Sequence, residues 1–189
     1  MKKDFVLEIY KSKNTVFNLR EIALLLGDTN LELLKSKIHY YIKRGVIRHL
    51  RRGIYVKPDY DVLELAAKIY TPSYISLETV LQAAGAVFQY YSTIFVISYL
   101  SRRINVGRQE IVYRKIKYPV LLNREGIEFK DNYAIATKER AFLDTLYLYK
   151  NYHFDNLKVL DRAKITKLLD IYKSKTLKEK VGEIFKDNA

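Results

Sequence analysis

Residues 18–57 read NLREIALLLGDTNLELLKSKIHYYIKRGVIRHLRRGIYVK, and the predicted fold of the N-terminal part of the chain follows from this segment. The spacing of its apolar residues predicts a helix over 19–26, which Gly27 ends, and a helix over 31–44, which Gly45 ends. Two helices joined by a four-residue turn that begins with a glycine are the pattern of a helix-turn-helix.

Side chains that cap helix N-termini precede each predicted helix. Asn18 is suited to cap the helix over 19–26, and Asn30 or Thr29 to cap the next one. Asp4 is suited to cap an earlier helix over 5–13. The sequence therefore predicts three helices before Gly45.

The helix over 31–44 has two unlike faces. At about 100° per residue, one sector is apolar and is expected to face the core; it contains Leu31, Leu34, Ile38, Tyr41 and Ile42. The opposite sector is polar and basic; it contains Glu32, Leu33, Ser36, Tyr40 and Lys43, flanked by Lys35, Lys37, His39 and Arg44.

A basic hairpin follows this helix. Residues 46–50 and 54–57 read as two strands, and Arg51-Arg52-Gly53 reads as their turn. Three helices followed by a hairpin predict a winged helix-turn-helix, in which the third helix enters the major groove of DNA and the hairpin reaches phosphates or a minor groove. The candidate DNA-binding residues are Lys35, Ser36, Lys37, His39, Tyr40, Lys43, Arg44, Arg48, Arg51 and Arg52.

The charge of the chain agrees with an anionic partner. Its 189 residues include 34 Lys plus Arg and 21 Asp plus Glu, a formal net charge of +13. Residues 1–60 carry 13 of the basic and 6 of the acidic residues, so more than half of the excess lies in the first third. Double-stranded DNA is therefore the leading partner.

The absence of cysteine narrows the function classes. With 0 Cys, the chain has no disulfide, no thiolate zinc site and no Fe–S cluster. The start Met1-Lys2-Lys3 lacks the apolar segment of a signal peptide, and polar residues interrupt the apolar stretch 83–100. We therefore expect a cytoplasmic protein that does not contact the membrane.

Composition changes near Pro58, which predicts a winged helix-turn-helix domain over 1–58 and an α+β domain over 59–189. The second domain is expected to contain a small antiparallel sheet and C-terminal helices. Its predicted strands are 93–98, 109–116 (across a basic turn at 102–108) and a strand or hairpin within 126–136. Its predicted helices are 61–70, 76–84, 137–149, 161–172 and 176–186.

Catalytic patterns are weak, and we expect no enzyme, no cofactor and no metal. Glu128 and Lys130 match half of a metal-dependent nuclease motif, which would require a second acidic ligand such as Glu110 nearby. The three histidines, His39, His49 and His153, share no metal-ligand spacing. Asp144 is expected to have a structural role, such as pairing with Arg140.

Three segments resemble one known family. KRGVIRHLRRGIYV at 43–56, PSYISLETVL at 72–81 followed by Gly85, and ATKERAFLD at 136–144 are similar to blocks of the AbiEi antitoxin family and occur in the same order. The resemblance covers residues 15–150. It implies a winged helix followed by a domain needed for antitoxicity.

The resemblance also implies a function and partners. It implies the transcriptional regulator of a type IV toxin–antitoxin system, which binds inverted repeats in its own promoter, represses that promoter and acts beside a nucleotidyltransferase-like toxin. Other interpretations remain open at this point. They are a protein-interaction antitoxin with secondary DNA binding, an RNA-binding module and a metal nuclease.

Overall fold

The structure, a computed structural model, describes residues 4–186. The predicted absence of a signal peptide concerns Met1, Lys2 and Lys3, which lie outside the described residues. The chain divides into two compact units, Met1–Ile69 (the first unit) and Tyr70–Ala189 (the second unit). The fold is α+β, as expected from the sequence.

From Asp4 to Ile69 the first unit contains four helices and a small sheet. The helices are α1 (Phe5–Lys11), α2 (Leu19–Leu26), α3 (Leu31–Lys43) and α4 (Val62–Ile69). The strands are β1 (Val16–Asn18), β2 (Arg48–Arg51) and β3 (Ile54–Val56). They form an antiparallel sheet in the order β1-β3-β2.

The predicted caps of this unit are confirmed. Asn18 accepts from the backbone N–H of Glu21, whose carboxylate accepts in return from the N–H of Asn18, so α2 begins with a capping box. Asn30 accepts from the first-turn amides of α3. Gly27 ends α2 in the left-handed conformation with φ of 68°, where side chains other than glycine are strained. Local capping contacts and the glycine end thus set the bounds of α2 and the start of α3.

The first helix is shorter than predicted, and a strand follows it. Helix α1 ends at Lys11 because Ser12 is extended, with φ −64° and ψ 137°. Residues Val16 and Phe17 then pair with β3. A three-residue strand has no recognisable periodicity of its own, and its hydrogen bonds come from a partner far along the chain.

The core of the first unit combines α1, α2, α3, β1 and the segment before β2. It contains Phe5, Ile9, Phe17, Ile22, Leu26, Leu34, Ile38 and Ile47. The prediction that Leu31 faces this core is wrong, because its side chain is 42% exposed. Leu31 is the first residue of α3, whereas the buried Leu34 and Ile38 lie one and two turns further along the helix.

The predicted domain boundary after Pro58 differs from the division of the structure, which follows Ile69. Helix α4 belongs to the first unit because its buried Glu64 accepts from the backbone amide and hydroxyl of Thr15 at 2.9 and 2.6 Å. Lys68 of α4 also donates to the carbonyl oxygen of Val16 at 2.6 Å. These contacts connect α4 to the start of β1.

We therefore expect a fragment 1–69 to fold and a fragment 1–58 to be much less stable. The shorter fragment lacks Glu64, which accepts from Thr15, and Lys68, which donates to Val16. Hydrogen bonds to charged groups each contribute about 1.5–3 kcal/mol to stability. Thermal unfolding followed by circular dichroism tests this. Equal midpoints for the two fragments would show that α4 is not part of the first unit.

The second unit consists of a larger sheet and helices. The strands are β4 (Ser73–Ile75), β5 (Ile94–Ser98), β6 (Arg102–Val106), β7 (Gln109–Lys115), β8 (Ile127–Lys130) and β9 (Tyr133–Ala136). The helices are α5 (Glu78–Ala83), α6 (Tyr118–Leu122), α7 (Lys138–Leu148), α8 (Arg162–Leu168) and α9 (Lys175–Lys186), with 3-10 helices at Leu157–Val159 and Leu169–Tyr172.

The prediction of a small antiparallel sheet in the second unit is wrong. The sheet has six strands in the order β6-β7-β5-β4-β9-β8, and it is mixed. Strand β5 runs parallel to β7, and β4 runs parallel to β9. The predicted turn at 102–108 instead contains β6, which forms a hairpin with β7. This additional reversal of the chain makes β5 and β7 parallel neighbours rather than antiparallel ones.

A buried polar cluster joins the sheet to the helices. Asp144 of α7 is fully buried, and its carboxylate accepts from the hydroxyls of Tyr172 at 2.7 Å, Ser76 at 2.8 Å and Tyr74 at 3.2 Å. Burial raises the pKa of Asp144, and the guanidinium of Arg140 opposes this effect. The predicted pairing of Asp144 with Arg140 is present, with 3.5 Å between Nε and Oδ1.

Arg140 extends this cluster to the segment around α6. Its guanidinium is also fully buried and donates to the carbonyl oxygens of Val120 at 2.7 Å and Glu125 at 2.8 Å. The arginine thus connects α7 to two backbone positions that flank the end of α6. Segments 72–81 and 136–144 meet in this cluster through Tyr74, Ser76, Arg140 and Asp144.

Candidate nucleic-acid interface

One face of α3 is exposed and polar along its length. Leu34 and Ile38 are buried on the opposite side and hold the helix against the core. The exposed side chains of α3 include Glu32, Leu33, Lys35, Ser36, His39, Tyr40 and Lys43. The outward orientation that the sequence predicted for this sector is therefore confirmed.

Two side chains in the first turns of α3, Lys35 and Ser36, make only weak contacts within the helix. Lys35 pairs with Glu32 at 2.6 Å, and the exposed hydroxyl of Ser36 donates to the carbonyl oxygen of Glu32 at 3.3 Å. Surface ion pairs of this kind contribute little, about 0.2–1 kcal/mol. Both side chains can therefore exchange their present partners for those of a ligand at small cost.

The C-terminal turn of α3 is held by aromatic contacts. Tyr40 packs edge-on against Tyr41 with 5.1 Å between ring centroids, and Tyr41 stacks on the buried Phe5 at 4.1 Å. The guanidinium of Arg44 lies 5.2 Å from the centre of the Tyr40 ring. Tyr40 and Arg44 therefore form an exposed pair whose position is set by the core.

Lys37 lies on the flank of α3 rather than at the centre of its outer face. Its ammonium is 3.9 Å from the carboxylate of Asp28 and 5.8 Å from the centre of the Phe5 ring. Lys37 is half-buried, unlike the neighbouring Lys35. The sequence placed Lys37 on this flank, but periodicity could not reveal these partners, since Asp28 and Phe5 belong to the turn before α3 and to α1.

The three arginines of the hairpin formed by β2 and β3 differ in their exposure and in their contacts. Arg52 is exposed in the turn before Gly53, which has φ of 78°. Arg51 is half-buried. Arg48 donates to the carbonyl oxygen of Pro58, and its guanidinium lies 5.6 Å from the centre of the Tyr60 ring. Arg48 therefore holds the chain after β3, whereas Arg52 is the hairpin arginine with the greatest freedom to contact a ligand.

Sequence reasoning left Leu33 of this face outside the candidate site. Leu33 is 68% exposed in the first turn of α3, three residues before Ser36. Its signal was present, because a leucine in the polar sector of an amphipathic helix has no core to enter. All ten predicted site residues belong to the first unit, nine of them on α3 or the hairpin and Arg44 as the C-cap of α3.

The structure does not assemble the acidic pair of a metal nuclease. Glu110 lies on β7 and Glu128 on β8, and β5, β4 and β9 separate these strands. Hydrogen bonds from Thr93 and Arg103 lower the pKa of Glu110. Within residues 4–186, no cluster of His, Asp and Glu could hold a metal ion, and no helix is long and apolar enough to cross a membrane.

No family model matches this chain, and no curated protein matches it.

Proposed function

We propose that this chain is a sequence-specific DNA-binding transcriptional regulator whose first unit acts as a winged helix-turn-helix. The observation that carries the proposal is the exposed, basic and hydrogen-bonding face of α3, beside a hairpin whose exposed turn contains Arg52. The element order α1-β1-α2-α3-β2-β3 and the strand order β1-β3-β2 support this interpretation, since winged helices share both.

The two parts of this surface have different roles in the proposal. Helix α3 enters the major groove, where Ser36 and Tyr40 contact base edges and Leu33 meets thymine methyl groups. The cations Lys43, Arg44 and Arg52 contact phosphates and hold the protein on the duplex. Arg48 contributes less than the sequence suggested, because its guanidinium is engaged within the first unit.

The narrower proposal is that the regulator represses its own promoter by binding inverted repeats, and that it acts beside a nucleotidyltransferase-like toxin. The three segments that resemble the AbiEi antitoxin family support it. Among these, 43–56 is the segment that includes the end of α3 and the hairpin, so the resemblance and the exposed basic surface coincide there.

Substitutions on α3 and on the hairpin test the proposal. We expect Ser36→Ala and Tyr40→Ala to reduce discrimination between selected and random duplexes by about 1–3 kcal/mol, because they remove contacts to bases. We expect Arg52→Ala to weaken binding to all duplexes about equally, because phosphate contacts carry no sequence information. Fluorescence anisotropy on a duplex selected from a random pool, and on a scrambled one, measures both effects.

Matched controls come from exposed residues of the second unit. Tyr90→Ala and Arg124→Ala remove the same side-chain types from positions that are exposed but distant in sequence. Both controls should leave discrimination unchanged. If Tyr40→Ala and Arg52→Ala produced the same uniform loss, α3 would not be the element that reads the bases.

A further inference from the structure

Strand β8 forms an open edge of the second unit's sheet. It is the last strand in the order β6-β7-β5-β4-β9-β8, and within residues 4–186 no strand pairs with its outer side. Three of its four residues, Glu128, Phe129 and Lys130, are exposed. An edge of this kind is a template for another strand unless the protein covers it.

The backbone of Phe129 points away from the sheet. The amide of Thr137 donates to the carbonyl oxygen of Gly126 at 2.8 Å, and Ile127 is opposite Ala136. In an antiparallel pair, hydrogen-bonded and non-hydrogen-bonded positions alternate. Glu128 and Lys130 therefore direct their backbone groups to β9, and the N–H and C=O of Phe129 face outward.

The same edge exposes apolar surface. The ring of Phe129 is 67% exposed, and its nearest cation is the guanidinium of Arg124, 5.8 Å from its centre. A large apolar side chain beside unpaired backbone groups is typical of a contact surface.

We propose that β8 is the surface through which two copies of this chain associate. The two strands run antiparallel about a two-fold axis at Phe129, so that the outward N–H and C=O of each Phe129 bond to those of the other copy. Glu128 then lies opposite Lys130 of the second copy, and Lys130 opposite its Glu128.

The charges of β8 favour a second copy of this chain as the partner that pairs with its open edge. The segment Glu128-Phe129-Lys130 is complementary to itself only when antiparallel and centred on Phe129. A shift by one residue would set Glu128 against Phe129 and lose both ion pairs. Opposite charges across neighbouring strands stabilise a pair, and like charges destabilise it.

Charge exchange tests the proposal without DNA, so its outcome does not depend on the proposed function. Sedimentation velocity of the full chain from about 1 μM to about 1 mM should show a monomer–dimer equilibrium. Glu128→Lys gives two opposed lysine pairs and Lys130→Glu gives two opposed glutamate pairs. Each variant alone should dimerise about tenfold more weakly or worse, and their equimolar mixture should dimerise like the original chain.

The controls change the same charges elsewhere. Glu179→Lys and Lys175→Glu on α9 alter exposed residues by the same amounts and should leave the equilibrium unchanged. Circular dichroism should show that all variants fold. A chain that stays monomeric, variants that still dimerise alone, or a mixture that does not recover association would each overturn the proposal.

Discussion

DNA binding by the full chain should weaken about 10³-fold when the salt concentration rises from 50 to 200 mM, the loss expected for about six phosphate contacts. Neutralising phosphates with cations releases condensed counterions, and added salt opposes that release. The contacts we expect come mainly from the exposed cations of the first unit, Lys35, Lys43, Arg44 and Arg52. The half-buried Arg51 and the engaged Arg48 and Lys37 contribute less.

The slope of log Kd against log salt measures this directly. It should be about 0.9 for each phosphate contact, so Arg52→Ala should lower it by about one. Arg48→Ala should lower it by less, because that guanidinium already donates to Pro58. Arg124→Ala serves as the control for a lost charge outside the first unit. A titration that is flat in salt would rule out binding through this basic surface.

Loss of Arg140 should destabilise the second unit by about 3–5 kcal/mol. Arg140→Ala leaves the fully buried carboxylate of Asp144 without its cation and the carbonyl oxygens of Val120 and Glu125 without their donor. Breaking a buried ion pair from one side costs that amount because the remaining charge stays in a medium of low polarity. Chemical denaturation of the second unit, followed by tyrosine fluorescence and circular dichroism, measures the change.

An exposed ion pair of the same unit provides the matched control. Arg103 pairs with Glu110 at 2.7 Å, but its side chain is 69% exposed, so Arg103→Ala should cost less than about 1 kcal/mol. Arg140→Lys should not restore stability, since an ammonium cannot reproduce the fork that reaches two carbonyl oxygens. Similar losses of unfolding free energy for Arg103→Ala and Arg140→Ala would show that the buried cluster stabilises the second unit no more than an exposed ion pair does.

Much of the first unit could be predicted because its signals are local. Asn18, Asn30 and Gly27 act within one turn of their own helices, and the bounds of α2 match the prediction residue for residue. Helix periodicity also predicted the exposed face of α3, where Ser36 and Tyr40 lie. The same periodicity failed for Leu31, since residues in the first turn of a helix can lie beyond the edge of the core.

The candidate site was predictable as a set of residues but not as a set of contacts. Lys37 and Arg48 looked equivalent to their basic neighbours, and the structure gives them Asp28 and Pro58 as partners. These partners lie nine or ten positions away in the chain, beyond the range of helix or strand periodicity. Whether a basic side chain can contact a ligand therefore depends on its packing in the folded unit, and the spacing of residues in the sequence does not show this packing.

Local signals in the sequence specified α2 and α3 with their caps, the basic hairpin and the exposed face of α3, because each depends on hydrogen bonds and apolar spacing within a few residues. Long-range packing alone fixed the strands β1 and β4, the helix α6, the parallel pairing of β5 with β7, and the inclusion of α4 in the first unit. Each of these features depends on contacts between distant segments. A strand of three residues acquires its conformation from the partner that supplies its hydrogen bonds, and that partner is chosen only when the whole chain packs.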